Sequence, residues 1–109
     1  MDLCKLKDEE LRKRLRRICT KDRYVLVELL LHLAEIDRRK ASDGWGFPSL
    51  FSYCTQELCF SEAAAYKRIT AARTAAQFPF ILTLLKRGET HLEAILILAP
   101  HLTSNNVDW

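Results

Sequence analysis

Three glycines and three prolines are the only strong helix breakers in this chain of 109 residues. Such scarcity predicts long helices joined by short turns. Hydrophobic residues make up 49% and charged residues 28%, enough apolar material for one core and too much for a disordered chain. The length corresponds to a single domain, residues 1–109. No uninterrupted run approaches the roughly 20 apolar residues that span a bilayer, and the start, Met1 to Glu10, lacks the apolar centre of a signal peptide. The expectation is therefore an all-α cytoplasmic protein, a compact bundle of about six helices with no membrane partner.

Apolar periodicity places the helices. A first helix runs from Asp8 to about Cys19, with Leu11, Leu15 and Ile18 inward. Its acids lie in the first turn and Arg16 and Arg17 in the last, as the helix dipole prefers. A second helix, from about Lys21 to Arg39, carries Leu26, Leu29, Leu30, Leu33 and Ile36 on one face. Tyr24, Val27 and Leu31 form a second apolar line there. A helix apolar on two sides is buried twice, either within the bundle or in a homodimer. Ala41–Pro48 is the clearest joint, with Trp45 and Phe47 folding back on the core.

A third helix spans about Ser49 to Leu58, and Ser61 caps a fourth that runs from Glu62 to about Ala76. A fifth starts at Pro79 and ends at Gly88. Thr90 and Glu93 read as a capping box for a sixth that Pro100 stops. The run Thr103 to Asn106 resembles another helix start, so the chain is expected to be the N-terminal piece of a longer protein. The expected core includes Leu26, Leu30, Leu33, Phe51, Leu58, Ile69, Leu84 and Ile95.

The functional expectation comes from residues 49–76, two helices with a tight turn between them, which describe an embedded helix-turn-helix. At about 100° per residue, Ala65, Ile69, Ala72 and Ala76 share one side of the fourth helix and point inward. Ala63, Lys67, Thr70 and Thr74 then face out, flanked by Tyr66, Arg68 and Arg73. Lys and Arg pair with phosphates or guanine edges, and Thr bonds to phosphates or touches a thymine methyl. Double-stranded DNA is the expected partner. Lys67, Thr70, Arg73 and Thr74 are assigned to the groove, and Ser61, Tyr66 and Arg68 to nearby phosphates. Arg12, Lys13, Arg16 and Arg17 of the first helix are backbone contacts. Net charge is only +3, but residues 1–23 hold nine Lys or Arg against five acids, and Arg38–Lys40 and Lys67–Arg73 add basic stripes. The alternative is a protein-interaction or homodimerisation module that uses Tyr24, Val27 and Leu31 and binds no DNA.

Catalytic chemistry finds no support in the spacing. The isolated glycines make no phosphate loop, and no Ser-His-Asp or Cys-His arrangement can be assembled. Cys4, Cys19, Cys54 and Cys59 contain no Cys-x-x-Cys pair and read as free thiols, with Cys54 and Cys59 partly buried. His32, His91 and His101 are far apart, so neither a metal nor another cofactor is expected.

The strings Pro48 to Leu58 and Phe60 to Arg73, with Gly88 to Leu92 and Leu98 to Thr103, resemble the helical N-terminal region that precedes HNH nuclease modules in a group of bacterial proteins. The likeness covers most of residues 8–105 and implies target recognition. The cleaving His and Asn residues of such proteins belong to a later module, so none is assigned here. A looser likeness is to partition-type (ParB-like) DNA-binding domains. In them a recognition helix is followed by a Pro, a helix, a Gly and another helix, as in Phe78 to Leu98. The fourth helix is about one turn longer than that pattern, so only the architecture carries over.

Overall fold

The computed structural model describes residues 2–102, and all of the regular structure among them is helical. The helix start expected at residues 103–106 lies outside the described residues. After a short 3-10 turn at Leu3–Lys5 come α1 (Asp8–Arg39), α2 (Ala41–Gly44), α3 (Leu50–Gln56), α4 (Glu62–Gln77), α5 (Phe80–Arg87) and α6 (Leu92–Leu98), closed by a 3-10 turn at Ala99–His101.

The largest departure from expectation is α1. The two helices expected before residue 40 are one, 32 residues long and therefore about 48 Å from end to end. No Gly or Pro precedes Gly44, so nothing forces a break. Thr20, at the expected joint, donates its hydroxyl to the Arg16 carbonyl at 3.0 Å and stays inside the helix. The helix stops where Lys40 takes a left-handed conformation, φ 53°, and its N–H closes onto Ile36 and Asp37 carbonyls.

The later helices begin and end for local reasons. Ser49 and Ser61 accept from the amides of Ser52 and Ala64 at 3.0 and 3.1 Å, capping α3 and α4. Pro79 caps α5 instead of occupying its first position. Gly88, φ 73°, ends α5: its N–H reaches the Leu85 carbonyl and that of Glu89 reaches Leu84. At α6 the expected capping box is displaced by one residue. His91 is the cap, its Nδ1 accepting from the Ala94 amide at 3.3 Å, which frees Glu93 for another role.

The core lies where the second half of α1 crosses α4, with α3, α5 and α6 closing around it. Leu30, Leu33, Ile69 and Ile95 are buried as expected, together with Cys54, Ile81 and Leu85. Leu26, Leu58 and Leu84 are only partly buried, and Phe51 is exposed. Trp45 also remains exposed, although it and Phe47 do fold back, their ring centroids 5.1 and 5.3 Å from that of buried Tyr53. Val27, assigned above to a dimer seam, is instead a core residue at 1% exposure.

Candidate nucleic-acid interface

α4 is the hub of the bundle, packing against α1, α3, α5 and α6. Its alanines allow this, because small side chains let several helices approach one axis. Ala65, Ile69, Ala71, Ala72 and Ala75 are all buried. The inward face is thus wider than the expected Ala65, Ile69, Ala72, Ala76 stripe, and Ala76 itself is exposed.

This width dismantles the expected outward ridge. Thr74 is buried, and its hydroxyl is satisfied within the helix by the Thr70 carbonyl at 2.7 Å. Burying it therefore leaves no unmet donor. Thr70 is partly buried. On the same side, Lys67 Nζ meets Glu93 Oε1 of α6 at 2.8 Å. Arg73 donates twice to Asp37 of α1, at 3.0 and 2.9 Å. This fork-to-fork pair is the strongest form of ion pair. The Arg73 guanidinium holds the Asp37 carboxyl below the usual carboxylate range, against the opposing effect of partial burial. Arg68 lies 5.3 Å from the centre of the Phe60 ring and donates to the Ala64 carbonyl. Ser61 is occupied as a cap. Of the seven residues of this region assigned to DNA, Tyr66 alone stands well exposed, at 62%, with no such engagement.

In another basic stripe two of the three cations share one carboxylate. Arg38 and Arg39 both donate to Glu35, and these bonds hold its carboxyl pKa down to about 2.

The first half of α1 has the opposite character. From Asp8 to Asp22 every residue is exposed except Leu11 and Thr20, which are partly so. The helix projects from the bundle as an arm of about four turns. Arg12, Lys13, Arg16, Arg17 and Lys21 are exposed there, and none is paired with a carboxylate among the described residues. Between residues 11 and 23 seven Lys or Arg face one acid, Asp22. Arg23 ties the base of the arm to the bundle, its guanidinium donating to the Lys86 carbonyl at the end of α5.

The proposed homodimer line is likewise split. Tyr24 and Leu31 are exposed, at 51% and 44%, while Val27 is in the core. Cys54 is buried, which pushes its thiol pKa up, and Cys4, Cys19 and Cys59 are exposed, Cys59 contrary to expectation. Among the described residues, no three His, Cys, Asp or Glu side chains gather as a metal-binding group, and no helix is long and apolar enough to cross a membrane.

Sequence reasoning missed Asp37 and Glu93, the partners that engage the ridge. Neither residue carries a local signal, because each pairing spans helices distant in sequence. Comparison with protein-family models, with curated proteins and with solved structures returns no match.

Proposed function

We propose that this chain is a nucleic-acid-binding module whose phosphate contacts come from the arm of α1 and not from α4. The observation that carries this reading is the run of exposed, unpaired cations Arg12, Lys13, Arg16, Arg17 and Lys21 along one isolated helix. Guanidinium and ammonium groups already paired with carboxylates, such as Arg73 and Lys67, must break those pairs before meeting a phosphate. The arm's cations break nothing, and each phosphate they neutralise releases condensed counterions. In the reading that the motif resemblance implies, the arm supplies affinity for the target, and cleavage belongs to a separate module.

The test is fluorescence anisotropy with duplex DNA across a salt series. Affinity should fall steeply with salt. Arg12→Gln with Arg16→Gln and Arg17→Gln should weaken binding at every salt concentration and flatten the log–log salt slope by about 2.7, roughly 0.9 for each phosphate no longer neutralised. Lys67→Ala with Arg73→Ala should bind within about twofold of the parent. Unchanged affinity in the arm variant would remove the proposal. A large loss confined to the α4 variant would restore α4 as the reader.

A further inference from the structure

The arm also carries an apolar line that phosphates cannot use. Leu11, Leu15, Ile18 and Val25 recur at intervals of four, three and seven, with Asp22 filling the missing step. This is the spacing of a heptad seam, 3.5 residues per repeat. Leu15, Ile18 and Val25 are 62%, 61% and 64% exposed. Around the helix axis the seam lies about 130° from the direction of Val27 and Leu30, which face the core, and on the same side as Leu29 and Ile36, which pack against the core only further along the helix, so the arm's stretch of this line overhangs the bundle uncovered. The repeat covers two heptads with Asp22 at one step, enough for one short helix to lie along it. Both flanks are cationic. Arg14, Arg17 and Lys21 line a shallow groove with Leu3, Leu11, Leu15 and Ile18 on one side. Arg12, Arg16 and Arg23 border Leu15 and Cys19 on the other.

The geometry points to a docking seam for an acidic amphipathic helix of a partner protein. That helix presents apolar residues at heptad spacing to Leu11, Leu15, Ile18 and Val25, and its flanking carboxylates meet the arm's cations. Charge complementarity selects this occupant. A second copy of the chain would bring two rows of Lys and Arg side by side, and like charges at flanking positions destabilise such pairs. An anionic lipid surface would satisfy the charges, but it favours a broad, bulky apolar face. This seam is one residue wide, has no aromatic and includes Asp22. Asp22 sets a further requirement: the partner must place a polar or cationic residue opposite it, which fixes the register of docking. This inference does not depend on the nucleic-acid reading, because a chain with no affinity for DNA would still present this apolar line between two cationic flanks.

The probe is a labelled synthetic peptide of about three heptads, with Leu at the seam positions and Glu at the flanking ones. Its own carboxylates keep it from pairing with itself at neutral pH. A second peptide carries Lys in place of Glu. In anisotropy titrations with the full chain, the Glu peptide should bind and the Lys peptide should not. Leu15→Gln with Ile18→Gln should weaken the Glu peptide at least about tenfold while leaving thermal unfolding unchanged, because both residues lie outside the core. Four results would overturn the inference. These are no binding of the Glu peptide, equal binding of both peptides, Glu-peptide binding indifferent to the Gln variant, and a dimer in sedimentation equilibrium that the Gln variant dissolves. Flotation of the chain with phosphatidylserine vesicles, abolished by the same variant, would likewise overturn it in favour of a lipid surface.

Discussion

Cys59 and Arg73 show what single residues contribute. Cys59 sits between α3 and α4 at φ 59°, a left-handed conformation that costs a residue with a Cβ about 1 kcal/mol or more. Glycine adopts it freely, at some entropic cost. Cys59→Gly should therefore stabilise the fold by about 0.5–1 kcal/mol in urea unfolding, and a destabilised variant would show that the turn is relaxed. Arg73 ties α4 to α1 through Asp37. Because the Asp37 pKa is lower in the folded chain than in the unfolded one, the tie is fully present above the unfolded value of about 3.9 and is lost as pH falls below it. Arg73→Ala should cost about 0.5–1 kcal/mol near pH 7, a figure kept small by solvent screening of a pair that remains largely exposed. The difference from the parent should shrink as pH drops through the carboxylate range. A gap that stays constant down to about pH 2.5 would mean that packing, not charge, is what Arg73 supplies.

Among the elements, local signals are legible in the sequence and tertiary ones are not. The Ser61 cap, the start of α4 and the Gly88 stop follow from side chains acting on their own turn, so the residues alone announce them. The break expected before residue 40 arises because Arg16 and Arg17 imitate a C-terminal turn, while the absence of Gly and Pro before residue 44 argues for the continuity that the structure has. The face that α4 turns to solvent is hidden from the sequence for a different reason. An alanine-rich helix has no single apolar side, so topology decides how many sides are covered, and here α1, α3, α5 and α6 all pack on it. The two halves of α1 make the distinction measurable. Leu30, 1% exposed, should cost about 2–5 kcal/mol on replacement by Ala. Leu15, in an equally regular helical turn, should cost less than about 0.5 kcal/mol. Comparable losses at the two positions would mean that the arm folds onto the bundle.

At the scale of the whole molecule, a bundle and an arm have different tasks. The radius of gyration is 16.9 Å and the longest dimension 50 Å, against about 13 Å expected for the radius of a compact domain of 100 residues. The α1 arm explains the excess, since it adds length and, apart from partly covered Leu11 and Thr20, is exposed throughout. A helix in that position is held by its continuity with the buried half of α1, since an isolated segment of about 15 residues is only marginally helical in water. In the function proposed above, the bundle would be a platform that pre-orders a cationic helix, so that a partner need not supply the entropy of folding it. Deleting residues 1–20 separates platform from arm. The shortened chain should unfold cooperatively within about 1 kcal/mol of the parent, because the buried core begins at Val27. Its scattering radius should fall toward about 13 Å, and it should lose DNA affinity at least as completely as the triple Arg→Gln variant. Collapse of the fold on deletion would show that the first turns of α1 support the core. Retained DNA affinity in a folded, shortened chain would move the binding surface back to the bundle.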